Sequence, residues 1–278
     1  MKQLAKNIIK TALPKVYNHI NAQNNRKLFQ QKFAAFQQKI GQQLYPNNNI
    51  KVLTGPFKGV RYFNEIVWGS ITPKWLGSYE CELWTTIENI IQRPYHQIID
   101  VGCAEGYYVV GLAHQMPDTQ FFAFDIDPFS RKQLQRLIQL NAVEKSVNIG
   151  KKLRHQTITQ IINAGRTLLI CDIEGYEMEL LQTEKCSALK QVDILVELHD
   201  LEGKRKIQDA LMARFRETHH IQIIPSRDRT AWIEQHHTLP IFDALNPAEL
   251  KQATDEQRAM PQNWLWMECL ANHQNQAS

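Results

Sequence analysis

HQIIDVGCAEG at residues 96–106, followed by FFAFDIDP at 121–128, is the stretch whose reading decides the fold. Gln97 to Val101 is a short apolar run with Asp100 near its end, a tight turn of small residues follows, and Tyr107–Gln115 then has helical spacing. A strand, a turn and a helix in this order, with a second strand behind them, specify two consecutive parallel strands. Their carboxyl ends open on one small-molecule site.

Gly102 and Gly106 allow the sharp turn and let a ligand approach bare backbone, with the first helical amides aimed at it. Asp125, closing the second strand, is placed to accept two hydrogen bonds from a ribose diol. A dinucleotide site would need G-x-G-x-x-G to seat its pyrophosphate. The turn here, Gly102-Cys103-Ala104-Glu105-Gly106, lacks the middle glycine, and Glu105 would set a negative charge against a diphosphate. A ligand without phosphate and with a cationic centre fits better. That description matches S-adenosylmethionine, with S-adenosylhomocysteine as its product.

Working outward, the alternation predicts a helix over Pro128–Asn141, a third strand at Val147–Gly150 and a helix at Thr157–Ala164. A fourth strand at Thr167–Asp172, a helix at Tyr176–Gln182 and a fifth strand at Val192–His199 follow. Gly203–Glu217 reads as a helix and His220–Pro225 as a sixth strand. This is an α/β pattern, a parallel sheet with helices on both faces. Upstream, Ile50–Thr54 and Gly59–Phe63 flank Gly55-Pro56 as a small hairpin, and Tyr79–Ile91 reads as a helix. Tyr79 and Glu80 either cover the bound cofactor or belong to a helix start capped by Ser78. Ser226–Asn263 is too long for an ordinary loop and suggests a substrate lid. It carries Arg227, Arg229, Trp232 and a helix Pro247–Arg258 begun after Asn246. His236 and His237 are too closely spaced for a good metal pair and read as surface.

The chemistry of such a sheet belongs at the carboxyl ends of strands four and five. Asp172 and Glu174 stand at the first, His199 and Asp200 at the second. Methyl transfer to a hydroxyl needs in-line geometry and a base; His199 is the better base by its ordinary pKa, and Asp172 serves if desolvation raises its own. Glu174 also reads as an acid favoured by a helix N-terminus, and His199 as a neutral imidazole bonded in the cleft. The same three groups are chemically able to hold a divalent metal, although the primary reading assigns none. The fourth strand lacks the Asn/Asp-Pro-Pro-aromatic string typical of transfer to a base nitrogen, which favours oxygen as acceptor.

The net charge of +4 conceals an asymmetry. Residues 1–64 hold eleven Lys or Arg and no acid, whereas the remainder hold 21 bases and 28 acids. Within this basic arm Leu4, Ile8, Ile9, Ala12, Leu13, Val16, Tyr17 and Ile20 recur at helical spacing, as do Phe29, Phe33, Phe36, Ile40 and Leu44, with a kink expected at Pro14. The arm packs on the domain or on a second copy in a homodimer, or touches an anionic membrane surface peripherally, or meets an anionic glycan or nucleic acid, the last being disfavoured. Residues 1–49 are therefore read as a basic amphipathic helical extension and 50–278 as the catalytic domain. Its core is 96–225, its lid-like insertion 226–263 and its last strand 264–270. Five scattered cysteines without a C-x-x-C pair, no secretory pattern and no long apolar run point to a cytosolic, cytoplasmic protein.

From Phe57 to His199 the chain resembles the FkbM-type S-adenosylmethionine-dependent methyltransferases. The resemblance runs through GPFKGVRY, GSITPKWLGSYECEL, IIDVGCAEGYYVVGLA, FAFDIDP, LLICDIEGYEMELL and DILVELH. CDIEGYEMELL (171–181) is its most specific part, matching a K-I-D-x-E-G-x-E-like string, with Cys171 where a lysine is common and Asp125 where a glutamate is common. The resemblance implies a Rossmann-like, seven-stranded class I methyltransferase sheet whose antiparallel last strand comes from Trp264–Leu270. It also implies O-methylation of a sugar, glycan or secondary metabolite. Asp100, Gly102, Cys103, Ala104 and Gly106 would then surround the methionine moiety and Asp125 would hold the ribose. Asp172, Glu174 and His199 would line the reacting end. Two other functions remain in view: a non-catalytic binding or assembly protein on the same fold, and an RNA methyltransferase recruited by the basic arm.

Overall fold

Every residue of Gln97–Val101 is buried, which a strand achieves only inside a sheet covered on both faces. In the computed structural model, which describes residues 28, 31, 33–65, 67, 69–162, 165–200, 205–258 and 260–274, this strand is β1. It pairs in parallel with β2 (Gln120–Phe124) on one side and β4 (Thr167–Cys171) on the other. The strands β3 (Val147–Gly150), β5 (Asp193–Glu197), β6 (His219–Ile224) and β7 (Trp264–Cys269) complete a seven-stranded sheet in the order β3-β2-β1-β4-β5-β7-β6. β7 runs antiparallel to both β5 and β6. This is the seven-stranded, Rossmann-like α/β sheet with an antiparallel last strand that the resemblance implied.

Helices cover both faces. In chain order they are α1 (33–44), α2 (Thr72–Leu76), α3 (Trp84–Ile91), α4 (Tyr107–Gln115), α5 (Pro128–Asn141), α6 (His155–Ile161), α7 (Glu177–Leu180), α8 (Lys206–Phe215), α9 (Thr230–His236), α10 (Pro247–Ala253) and α11 (Leu270–Gln274). Strand alternation divides the core: Ile98, Phe121, Leu168, Ile170 and Leu195 face one apolar cluster, while Ile99, Leu169, Ile194 and Val196 face the other. α4 and α5 contribute Val109, Leu112, Leu134 and Leu137 to the first. α8 contributes Leu211 and Phe215 to the second. α5 begins where it does because Asp127 accepts hydrogen bonds from the Phe129 and Ser130 amides and Pro128 occupies the first turn.

The elements flanking the sheet share its first core. Ile40 of α1 is fully buried there, with Phe36 and Leu44 packed alongside. The apolar stripe of the second amphipathic stretch thus lies on the domain itself. The first stretch, Leu4 to Ile20 with Pro14, and Phe29 lie outside the described residues. The 226–263 segment sends Trp232, Phe242, Leu245, Leu250 and Ala253 into the same cluster. Among the described residues, no helix is long and apolar enough to cross a membrane.

Several elements depart from their sequence-based bounds. The hairpin expected over Ile50–Thr54 and Gly59–Phe63 is present as a short antiparallel pairing around the Lys51–Arg61 bridge, with the Val52, Gly59 and Tyr62 amides donating to Val60 O, Val52 O and Ile50 O. It ends where the Leu53 amide and the Thr54 hydroxyl turn to the carbonyls of Trp75 and Leu76. The helix expected from Tyr79 starts only at Trp84, after a 3-10 turn at Cys81–Leu83. Glu80 sits in the left-handed region at φ 45°, and the buried Ser78 hydroxyl donates to Pro73 O instead of capping a helix. α6 occupies His155–Ile161 rather than 157–164, and α7 is a single turn. α10 begins at its capping box, Asn246 with Glu249, but stops at Ala253. Arg258, expected inside it, is held instead by carboxylates elsewhere in the fold.

Candidate active site

The turn after β1 is built by backbone, and its glycines do a different job from the one the sequence suggested. Gly102 has φ +83°, and a Cβ there would lie 1.5 Å from the Asp172 carbonyl oxygen. Gly106 has φ +97°, and a Cβ there would meet Leu134 at 2.4 Å. Both therefore keep the turn pressed against β4 and α5, and the space they leave is taken by protein. Ala104 donates its amide to Asp125 Oδ2 at 3.0 Å, and Asp127 donates its own to Asp125 Oδ1 at 2.7 Å. Asp125 thus ties the two turns together with both oxygens, each of which keeps acceptor capacity.

Glu105 is not the free negative charge expected from the sequence. It is buried, accepts the Tyr62 hydroxyl at 2.7 Å and forms an ion pair with the equally buried Lys74. The argument that Glu105 repels a diphosphate is corrected accordingly. The acidity of the crevice comes from other groups. Asp100 is 3% exposed and its Oδ2 has no hydrogen-bond partner among the described residues. Burial and the neighbouring Asp125 charge push its carboxyl up to about 7. Burial likewise raises Asp125 to about 6, against the lowering effect of its two backbone hydrogen bonds. The Cys103 thiol, buried beside them, is held well above its ordinary range.

The ends of β4 and β5 bring Asp172, Glu174 and His199 together as expected, and add two residues that sequence reasoning missed. His199 donates or accepts through Nδ1 with Glu177 Oε1 at 2.7 Å, and Glu177 is itself held by the Gly175 amide at 3.0 Å. Around Nε2 lie Glu197 Oε2 at 3.1 Å, Glu174 Oε2 at 3.4 Å and Asp172 Oδ1 at 3.5 Å. Burial pushes the imidazole pKa down, but the Glu177 and Glu197 carboxylates outweigh it and hold His199 up at about 11. The expectation that His199 is the base is therefore corrected: in this arrangement it is a cation at neutral pH and has no free lone pair to accept a proton. Asp172 lies well above the carboxylate range, first through burial and then through the Glu197 and Glu80 charges. Glu177 and Glu197 are lowered, because the His199 imidazolium beside both, and Arg258 beside Glu197, overcome their burial. Glu174 is the exposed member, its side chain 85% accessible.

One wall of this end is a buried ion-pair network. Arg258 joins Glu197, Glu80 and Glu256, and Arg229 joins Glu82 and Glu256. Tyr108 donates to Glu80, and Tyr79 lies under Arg258. His236 is not a plain surface residue; it stacks on Trp232 at 4.5 Å and meets Trp84 edge-on. Glu177 was legible as the second glutamate of the 171–181 string. Glu197 and Arg258 carried no local signal.

No protein-family model matches the chain. A tRNA (guanine-N(7)-)-methyltransferase from Synechocystis sp. is 32% identical over 75 residues, which is 27% of this chain and 31% of that protein's length. Among solved structures, precorrin-6y C5,15-methyltransferase from Geobacter metallireducens aligns at a TM-score of 0.43 with 10% identity, over 66% of this chain and 85% of its own. An rRNA methylase from Streptococcus thermophilus aligns at 0.44 with 9% identity, over 68% and 96%.

Proposed function

We propose that this chain is a cytosolic, FkbM-type O-methyltransferase that uses S-adenosylmethionine to methylate a hydroxyl of a sugar, glycan or other secondary metabolite. The observation that carries the reading is the row of desolvated carboxyls at the ends of β1, β2 and β4, with the buried Asp100 Oδ2 lacking any partner among the described residues. An unpaired buried acid is costly, and a cationic ligand offsets that cost. The residues present therefore fit a sulfonium cofactor better than an anionic one. Asp100, Gly102, Cys103, Ala104 and Gly106 would border its methionine end, and Asp125 would hold its ribose with the remaining lone pairs. The free cysteines agree with a reducing compartment.

When bound, the cofactor supplies an electrophilic methyl group. Asp172 and Glu174 line the reacting end, and the exposed Glu174 carboxylate takes the acceptor's hydroxyl proton. The products would be a methyl ether and S-adenosylhomocysteine, with the hydroxyl proton left on that carboxylate. The 226–263 segment and residues 78–82, locked to each other by Arg229 and Arg258, form the wall that selects the acceptor.

Calorimetric titration with S-adenosylhomocysteine, with a nicotinamide dinucleotide as control, tests this. Binding of the first alone is expected. Asp125→Ala should weaken it by roughly 1.5–3 kcal/mol, the range for hydrogen bonds to a charged group. Equal affinity in wild type and variant would mean that the ribose lies elsewhere. A second reading, RNA as acceptor, is favoured by the tRNA methyltransferase match and the basic arm. It requires RNA affinity that falls steeply with salt. A binding or assembly protein would form no S-adenosylhomocysteine with any acceptor.

A further inference from the structure

The geometry points to a divalent-cation site formed by Asp172, Glu174 and His199 Nε2, a site that rests beside the proposed transfer chemistry and deepens it. One ligand atom from each of the three residues lies within 4.8 Å of the other two. They come from the ends of two adjacent strands, β4 and β5, so the sheet itself sets their spacing.

The arrangement around His199 carries the inference beyond a cluster of acids. Its side chain is only 6% exposed, and Nε2 makes no hydrogen bond of acceptable geometry among the described residues, although three carboxylate oxygens lie at 3.1–3.5 Å. Asp172 Oδ1, buried, is likewise without a partner. A buried ring nitrogen and three carboxylate oxygens converge there without hydrogen-bond alignment, an arrangement that a bound cation would satisfy. The far side of the ring is fixed as metal sites fix it: Nδ1 faces Glu177 at 2.7 Å, and Glu177 is anchored by the Gly175 amide. With Nδ1–H given to that carboxylate, a bound divalent ion would displace the Nε2 proton of the ion-free imidazolium and take the lone pair that faces Asp172 and Glu174. Glu197 stays outside the ligand set because Arg258 holds it.

Two carboxylates and one imidazole neutralise a doubly charged ion and combine nitrogen with oxygen. This set suits Mn2+, Fe2+ or Zn2+ better than Mg2+, which prefers oxygen alone. Three protein ligands leave coordination positions free on the side of the exposed Glu174. An acceptor hydroxyl bound there would lose its proton more readily, relieving the need for an imidazole base.

The test uses the full-length protein stripped with a chelator and titrated with MnCl2, followed by calorimetry and by the loss of the free-ion paramagnetic signal, with no methyl donor present. One saturable Mn2+ per chain is expected, lost in both Asp172→Asn and His199→Gln. Glu174→Gln, at an exposed position, should lower Mn2+ affinity by about tenfold or more with the unfolding temperature unchanged. Asp125→Asn should bind Mn2+ as wild type does. No saturable uptake, or uptake that survives the Glu174 and His199 changes, overturns the site. S-adenosylhomocysteine titration of the same preparation is read independently: cofactor binding without Mn2+ uptake removes the metal alone, and Mn2+ uptake without cofactor binding removes the methyltransferase reading alone.

Discussion

At the scale of single residues, Gly102 and Gly175 have similar backbone and opposite surroundings. Both have positive φ, but a Cβ on Gly102 runs into the Asp172 carbonyl whereas one on Gly175 meets nothing within 4 Å. Gly175→Ala should cost roughly 1–2 kcal/mol, the left-handed backbone penalty alone. Gly102→Ala should cost roughly 3 kcal/mol or more, because overlap with backbone is added. Urea denaturation of the two variants measures the gap, and equal losses would mean that the β1–β4 approach is wrong. Asp100 gives a pH prediction. Its folded pKa of about 7 exceeds the unfolded value near 3.9, so its contribution to stability is fully present below that lower value and is lost as pH rises through about 7. The ligand-free wild type should therefore lose stability relative to Asp100→Asn between about pH 4 and about pH 7. A difference that stays flat in denaturant midpoint would show that the carboxyl is not buried alone. Site residues in the 98–106, 121–128 and 171–181 strings were legible because each string is local. The protonation of His199 was not, since Glu177 and Asp172 reach it from beyond the end of β4, which lies beside β5 only through the sheet order.

At the scale of elements, Arg258 matters most. It ends no helix and begins no strand, yet it connects the 226–263 segment to Glu197 at the end of β5 and to Glu80 before α3. Arg258→Leu leaves two buried carboxylates without their partner, and a loss of roughly 3–5 kcal/mol is expected. Thermal or urea unfolding measures it, and a loss under about 1 kcal/mol would mark the pair as solvated. The β-elements were read closely from sequence because β1, β4 and β5 carry short apolar runs, Ile98-Ile99, Leu168–Cys171 and Ile194–Val196, within stretches bounded by turn residues. The segment around Ser78 to Leu83 was misread because its local signals, a serine followed by acids, are those of a capped helix. The acids are consumed instead by arginines 147 and 178 residues away in sequence, so no window of sequence contains the reason.

At the scale of the whole molecule, α1, the 226–263 segment and the front of the sheet bury their side chains in one cluster. The segment should therefore not open by itself. Limited proteolysis is expected to leave 226–263 intact until the domain unfolds, and cleavage there at full S-adenosylhomocysteine binding would show a separately mobile element. The sheet order has a further consequence, concerning time. β6 touches the rest of the sheet only through β7, which follows it in the chain. As the chain leaves the ribosome, β1 to β5 can assemble in parallel as they emerge, but β6 must wait, unpaired, until Trp264–Cys269 has been made and has slid between it and β5. The helices α9 and α10 and the loops that separate the two strands are thus also a delay, during which an edge rich in isoleucine is open to the wrong neighbour.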